Sequence, residues 1–312
     1  MNYVGFVNQE LKKALKDKKG VIVFGQNVGT GSCVSGLSRG IEKETGCRVL
    51  NTQNSENTLV GAGFGMMRNG VSSIYIMKQL DFLLLGIDQL VNTYNYIRVF
   101  KPSASFTILA VVVDNGYQGM QSSLNNLADF CSIARIPGYA ITNRRDAEKI
   151  IGAHLVSPGF RIIGLSQRLF GRELIDFEQV ISCEADGGWL QYTDGADVTI
   201  ACFNFSIPQG RGLIEALKDK GKEASLFSIN SSSPVEWSPI IANACQTGAI
   251  VVIDDIKSVN SPSVDLVARA RGEEKIRTIT HITRDFSSLD WLRPNADELV
   301  LNNKNIIHQA LK

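Results

Sequence analysis

The sequence has no excess of charge, no long apolar run and no cysteine framework. Its 32 lysines and arginines nearly balance 31 aspartates and glutamates, and the net charge of +1 indicates neither a nucleic-acid nor an anionic-membrane partner. No apolar stretch is long enough to span a membrane, and the lysine-rich start lacks the apolar centre of a signal peptide. The six cysteines are scattered without a C-x-x-C pair, which is typical of reduced thiols. We therefore expect a cytoplasmic protein that binds neither nucleic acid nor membrane.

Histidine, the usual acid–base residue near neutral pH, is also scarce. The chain has three: His154 on a predicted helix, His281 in a predicted loop, and His308 on a predicted C-terminal helix. Proton transfer by histidine would therefore have to come from one of these places or from another chain.

A glycine-containing loop at residues 25–31 follows a short buried strand predicted at residues 21–25. The loop lacks the G-x-G-x-x-G order, and no acidic residue ends a second strand about twenty residues later. The pattern disfavours a dinucleotide-binding site.

Strands and helices alternate along most of the chain, which predicts parallel sheets covered by helices on both faces. A first helix is expected at residues 4–18, and an irregular linker at about residues 177–194. The length of 312 residues and the 44% of hydrophobic residues allow two cores. We expect an α/β fold with two open, mostly parallel sheets and helices on both faces. The first domain would span residues 1–185, including linker residues, and the second residues 186–312.

The stretch at residues 51–92 has the most informative order of residues. Ser55 is positioned to cap a helix and to place the carboxyl of Glu56 in its first turn. The helix continues through Gly61, Gly63 and Gly65, which lower its intrinsic stability but allow another backbone to approach closely. A buried strand at residues 71–77 follows, then Asp81, Phe82 and a second helix. Taken singly, Glu56 could be a capping residue and Phe82 a core residue.

Taken together, these landmarks resemble the pyrimidine-binding domain of thiamine diphosphate enzymes, and specifically the β subunits of 2-oxo acid dehydrogenase E1 components. The matching order is S-E-x-x-L-V-G-x-G-x-G, a strand, D-F, and then D-Q-L-V-N. The resemblance implies that Glu56 hydrogen-bonds the aminopyrimidine ring of thiamine diphosphate and that Phe82 stacks on that ring, with Leu85 in the same pocket. An apolar cover raises the pKa of a carboxyl, which can then share a proton with the ring nitrogen and favour the imino tautomer that activates the cofactor.

Two positions depart from the family pattern. Gln26 stands where the family has the glutamate of G-E-D-V-G, so it keeps hydrogen bonds but lacks a charge. Gln121 matches the position of a family active-site histidine and is the catalytic candidate there, with Gln118, Ser122 and Ser123 as alternatives. A glutamine can orient a substrate, but it cannot act as a general acid near neutral pH.

The second half resembles the transketolase C-terminal domain, which implies a role in regulation or assembly. At residues 229–234, however, it lacks the arginine of the family segment R-T-x-x-P.

No G-D-G motif for the diphosphate and its metal occurs in the sequence. The resemblance thus implies an α-type partner subunit that mainly holds Mg²⁺, in an α2β2 assembly acting on a small 2-oxo acid or ketose. We expect a β-type subunit of an enzyme that decarboxylates a 2-oxo acid or transfers its acyl or aldehyde unit. The alternatives are half of a split transketolase, or an inactive binding or regulatory homologue, which the presence of Glu56 argues against.

Overall fold

The computed structural model describes residues 1–115, 125–232, 235–258, 261–284 and 299–311. These residues form two six-stranded sheets that follow one another along the chain.

The first sheet is entirely parallel and has the order β2-β1-β3-β4-β6-β5. Its central strands are apolar along almost their whole length because helices cover both faces. The strands are β1 (Ile22–Gly25), β2 (Arg48–Asn51), β3 (Ser73–Met77), β4 (Ser105–Val112), β5 (Gly138–Ile141) and β6 (Gly159–Ser166).

Two sets of helices enclose the first sheet. One face packs against α1 (Tyr3–Leu15), α2 (Ile41–Thr45) and α6 (Arg144–His154). The other face packs against α3 (Glu56–Arg68), a composite helical segment, and α5 (Leu127–Ala134). The composite segment consists of a 3₁₀ turn (Leu80–Gly86), a π-helical turn (Gln89–Thr93), α4 (Tyr94–Ile97) and a 3₁₀ turn (Arg98–Phe100).

The second sheet has the order β12-β11-β9-β10-β8-β7. The first four strands in this order are parallel to one another, β8 pairs antiparallel with β10, and β7 pairs antiparallel with β8. Helices α7 (Ile207–Lys218) and α10 (Asn303–Ala310) cover one face, and α8 (Ser238–Thr247) and α9 (Pro262–Arg271) the other. The strands are β7 (Ser182–Cys183), β8 (Trp189–Thr193), β9 (Val198–Phe203), β10 (Ala224–Ile229), β11 (Ala249–Asp254) and β12 (Thr278–Ile282).

The predicted fold class is confirmed, with local corrections. The expected linker at residues 177–194 contains β7 and β8, because W-L-Q-Y-T pairs with β10 as a buried strand. His281 lies on β12 and not in a loop, whereas His154 and His308 lie on helices as expected. The division proposed at residue 185 falls between β7 and β8, which pair with each other in the second sheet.

The six cysteines differ in burial. Cys47, Cys131 and Cys202 are buried, whereas Cys183 is exposed and Cys33 and Cys245 are partly buried; all six are free thiols.

Among the described residues, every helix is too short or too polar to cross a lipid bilayer.

The two sheets are joined through backbone and side-chain contacts. Edge strand β5 bonds to the segment that follows β10: Ala140 N donates to Asn230 O (2.7 Å) and Ser232 N to Gly138 O (2.8 Å). Near the end of β6, Arg168 contacts the carboxylates of Asp114 and Asp255. The carboxyl edge of the second sheet therefore packs onto the first half of the chain.

Candidate functional site

Glu56 is the first residue of α3, as the sequence predicts, and Ser55 occupies the N-cap position. The Ser55 hydroxyl does not cap a backbone N–H; it donates instead to Thr58 Oγ1 at 2.9 Å. The helix start is therefore confirmed, but the expected serine cap bond is not.

Glu56 is a largely buried residue. It is 7% exposed. Its carboxyl makes no hydrogen bond or salt bridge with any residue that the structure describes. Tyr75, on β3, has its pKa raised mainly by burial and secondarily by the charge of Glu56. The residue is mostly enclosed, but its carboxyl oxygens still reach the surface, so a bound group can contact them.

The 3₁₀ turn Leu80–Gly86 packs against the first turn of α3. A Cβ atom at position 86 would lie 3.0 Å from Val60 Cγ2 and 3.4 Å from Glu56 O, so glycine allows this close approach. The turn carries Phe82, which is partly buried, and Leu85, which is 63% exposed. The structure thus brings Glu56, Phe82 and Leu85 into one neighbourhood.

Asp81 is a site residue to which the sequence reasoning gave no role. It is 1% exposed, and its Oδ1 accepts a hydrogen bond from Asn126 Nδ2 (3.3 Å). Its Oδ2 is buried and has no hydrogen-bond partner within the described part of the chain. Burial raises the pKa of Asp81 to about 6, against the opposing effects of the Lys257 charge and the Asn126 hydrogen bond. The signal in the sequence was its position beside Phe82 in the D-F landmark, directly after a buried strand.

Gln26 lies at the same carboxyl edge of the first sheet but in different surroundings. It lines a cavity of about 200 Å³ together with Lys78, Gln79 and Gln167. The apolar wall of this cavity belongs to the core on the α1 and α6 face of the sheet. Glu56, Phe82 and Leu85 are not among the described residues that line it.

Gln121, the predicted substrate-facing residue, lies outside the described residues, as do its alternatives Gln118, Ser122 and Ser123. Asp114, which precedes that segment, is described. It is 2% exposed and is held by Ser166 Oγ (2.6 Å) and Arg168 N (3.0 Å). Asp114 thus contributes to the joint between the two halves.

The residues around Glu56 fit the aminopyrimidine part of thiamine diphosphate. A carboxyl on a mostly enclosed residue, with its oxygens at the surface, matches a ring nitrogen that can share a proton, and the partly buried Phe82 ring matches an aromatic face. The described residues contain no group of three or more histidine, cysteine, aspartate or glutamate side chains arranged to hold a metal ion.

Comparisons with known proteins show what the chain as a whole is similar to. No protein-family model matches the chain. The pyruvate dehydrogenase E1 component subunit β of Staphylococcus aureus is 22% identical over 325 aligned residues, which cover 100% of this chain and 98% of that protein. The corresponding subunit of Acholeplasma laidlawii is 21% identical over 84% of this chain and 81% of its own length.

Two solved structures share the fold. A split-gene transketolase, described as an inactive β4 tetramer, superposes with a TM-score of 0.68 at 18% identity, covering 98% of this chain and 97% of its own. The 2-oxoglutarate:ferredoxin oxidoreductase of Magnetococcus marinus superposes with a TM-score of 0.62 at 10% identity, covering 100% of this chain and 65% of its own. This chain is therefore a distant relative, along its whole length, of the E1 β subunits that the landmarks between Ser55 and Asn92 resemble.

Proposed function

We propose that this chain is the β-type subunit of a thiamine diphosphate-dependent enzyme that decarboxylates a 2-oxo acid or transfers its acyl or aldehyde unit. The observation that carries the proposal is the position of Glu56: the residue is only 7% exposed, its carboxyl oxygens still reach the surface without a partner among the described residues, and the turn that carries Phe82 packs against it. A ligand that shares a proton with this carboxyl explains the position. The full-length similarity to E1 β subunits supports the same assignment.

Thiamine diphosphate, when bound, supplies an electron sink for the bond cleaved next to the substrate carbonyl. Glu56 then holds a proton at its carboxyl and fixes the tautomer of the aminopyrimidine ring. Phe82 contributes an aromatic face for the ring, and the exposed Leu85 becomes covered when the partner docks. Gln121 orients the substrate through hydrogen bonds, and Gln26 contributes polar groups at the sheet edge.

An α-type subunit completes the site in this proposal, because the sequence has no G-D-G motif to hold the diphosphate and Mg²⁺. The surface near Glu56 supports such a partner. The composite helical segment exposes apolar and aromatic side chains at Leu84, Leu85, Tyr96, Val99 and Phe100. Beside them, α3 exposes Ala62 and Gly65, which allow close backbone approach. We propose an α2β2 assembly, and the six free thiols support a cytoplasmic location.

A split transketolase is the second candidate, favoured by the TM-score of 0.68 to the split-gene transketolase over nearly the whole of both chains. In this alternative the chain uses the same Glu56 with a ketose substrate. The exchange of histidine for glutamine at position 121 disfavours it, because sugar substrates require additional proton transfers.

Reconstitution tests the proposal and separates the candidates. The chain is mixed with an α-type chain that carries G-D-G, together with thiamine diphosphate and Mg²⁺. Ferricyanide reduction is then measured with a series of 2-oxo acids, and ketol transfer with a ketose phosphate and an aldose phosphate. Turnover of a 2-oxo acid supports the proposal, and ketol transfer alone supports the split transketolase. Cofactor binding with neither reaction would identify an inactive homologue and overturn both.

A further inference from the structure

A cleft lies where the two halves of the chain meet. Its volume is about 620 Å³, which is in the range of small-molecule sites. One wall comes from α5 and the residues that follow it, and the other from the segments after β10 and β11. Because those two strands lie on either side of β9, the cleft opens above the carboxyl edge of the second sheet, where the strand order reverses. Open α/β sheets bind ligands at this place.

The base of the cleft is apolar and fixed. Buried Cys131, Ile136 and Trp237 line it. The adjacent hydrogen bond from Ser232 N to Gly138 O (2.8 Å) ties the two walls together, so the cleft is preformed. Its base can therefore accept an apolar or planar body without rearrangement.

The rim of the cleft is cationic. Arg135 makes no side-chain hydrogen bond or ion pair with any residue that the structure describes. Arg269 donates from Nε to Asp265 Oδ2 (3.1 Å), and the same oxygen accepts from Trp237 Nε1 (2.6 Å). Since Asp265 is engaged through Nε, the terminal nitrogens of Arg269 remain available. The charged residues that line the cleft are thus two arginines and one aspartate, and their net positive charge favours the binding of an anion.

Two further observations indicate a ligand at this place. The hydroxyl of Ser232 is buried in the wall, 94% of the residue being inaccessible, and it has no hydrogen-bond partner among the described residues. Arg135 has φ +53°, a left-handed conformation at the C-terminus of α5 that glycine adopts with less strain. An arginine at this strained position and an orphaned hydroxyl in the same cleft are both explained by a bound anion.

We propose that this cleft binds a small organic anion, an apolar or planar body that carries a phosphate or a carboxylate group. The body contacts the base near Trp237 and Ile136, and the anionic group is bound by Arg135 and Arg269, with Ser232 Oγ as a further donor. The site is distinct from Glu56 and does not depend on the function proposed above. Because the ligand contacts both halves of the chain, its binding stabilises their association.

Calorimetry on the full-length chain tests the proposal with four probes. Adenosine monophosphate carries a planar body and a phosphate, and octanoate carries an apolar body and a carboxylate; adenosine and octanol are their uncharged counterparts. We expect at least one of the two anions to bind with a Kd below about 1 mM. The binding should change Trp237 fluorescence, raise the melting temperature and weaken with salt. The probe that binds identifies the anionic group. Absence of binding by both anions, or equal binding of the uncharged counterparts, overturns the proposal.

The variant Arg135→Gly separates binding from folding. Loss of a charge-assisted hydrogen bond should weaken binding by roughly 10- to 100-fold, while the melting temperature stays equal or rises because glycine relieves the left-handed strain. Lys101→Gly is the matched control, since Lys101 is an exposed basic residue with φ +45° outside the cleft. Arg269→Gln, at an exposed position, gives a second test. Wild-type affinity in both arginine variants would disprove the assignment.

Discussion

Arg168 donates a hydrogen bond from Nη2 to the carboxylate of Asp255, which joins the end of β6 to the residue that follows β11. The same guanidinium lies 3.6 Å from Asp114 Oδ2, measured from Nε. All three side chains are at most 4% exposed. The two halves of the protein are thus joined through a buried charge cluster, and their stability depends on it.

Arg168→Met should destabilise the protein by about 3 to 5 kcal/mol, because it leaves two buried carboxylates without their cation. Burial raises the pKa of Asp114, and Arg168 opposes that rise. Denaturant unfolding measures the loss, which should diminish at acidic pH as Asp114 takes up a proton. Lys13→Met, which removes an exposed pair with Glu10, is the control and should cost less than about 0.5 kcal/mol. If Arg168→Met lowered the free energy of unfolding by no more than Lys13→Met does, the cluster would not have this structural role.

Glu56→Gln should leave the fold intact and lower turnover of the reconstituted enzyme by about 100- to 10,000-fold, because a positioned proton-transfer group is lost. Steady-state kinetics with thiamine diphosphate, Mg²⁺ and the α-type chain measures the effect. Glu274→Gln, at an exposed position, should leave turnover unchanged. If Glu56→Gln turned over like the wild type, Glu56 would not be the activating carboxyl.

Asp81→Asn should change the pH dependence of stability. The pKa of Asp81 is raised from 3.8 to about 6 in the folded protein, so the folded state binds this proton more tightly than the unfolded chain does. Its contribution to stability is therefore present below about pH 4 and is lost as the pH rises through about 6. The asparagine can still accept the Asn126 hydrogen bond. We expect the variant to be more stable than the wild type by up to about 3 kcal/mol near neutral pH, with the difference shrinking toward pH 4.

Urea unfolding of the two proteins across about pH 4 to 8 measures this difference. Parallel stability curves for wild type and Asp81→Asn would show that Asp81 is ionised normally in the folded protein.

The role proposed for Gln121 rests on the sequence resemblance, and two substitutions test it. Gln121→Ala should lower turnover by about 1 to 3 kcal/mol in transition-state free energy, the value of a few hydrogen bonds, without a new step in the pH profile. Gln121→His should introduce an ionisation near neutrality in the rate against pH, if the imidazole faces the substrate. If neither substitution alters the rate or the substrate preference, the residue that matches the family histidine is Gln118, Ser122 or Ser123 instead.

Gly65→Ala tests the partner surface on α3. A Cβ at position 65 meets nothing within 4 Å, so alanine should stabilise the isolated chain by about 0.5 to 1 kcal/mol through helix propensity. If the α-type chain packs on this face, the same methyl group should weaken assembly, which sedimentation measures. Gly63→Ala is the contrasting variant: its Cβ would lie 2.2 Å from Phe106 Cζ, so it should destabilise the chain itself by at least about 1 to 3 kcal/mol. Undiminished assembly of Gly65→Ala would place the partner elsewhere.

The long apolar strands and the start of α3 could be predicted because local signals decide them. β4 and β11 read as buried runs, and Ser55-Glu56 marks a helix start. Strands β2 (R-V-L-N) and β5 (G-Y-A-I) were missed because each is short and, unlike the equally short β1 (I-V-F-G), has no run of three bulky apolar residues. The segment after Phe82 was expected as one helix but divides into 3₁₀, π and α turns, since packing against α3 overrides its local preference.

The candidate site was predictable in its residues but not in its geometry. The sequence indicated Glu56 and Phe82, and it could not show how far Glu56 is enclosed or that Asp81, on the turn that packs against α3, is buried. Nor could it show that Gln26 lies in a cavity lined by the opposite core of the sheet. These relationships depend on which face of the sheet each loop follows, and that is a tertiary property.

The bonds between β5 and residues 230–232 have a consequence for solubility. A strand at the margin of a sheet offers unpaired N–H and C=O groups to other chains and so promotes aggregation. β5 is such a marginal strand, and the chain itself pairs its outer side through Ala140 N and Gly138 O. The opposite margin, β2, is only four residues long. The second half thus protects the first from strand addition before any partner subunit is met, and a fragment that ends at residue 185 would expose the whole outer side of β5.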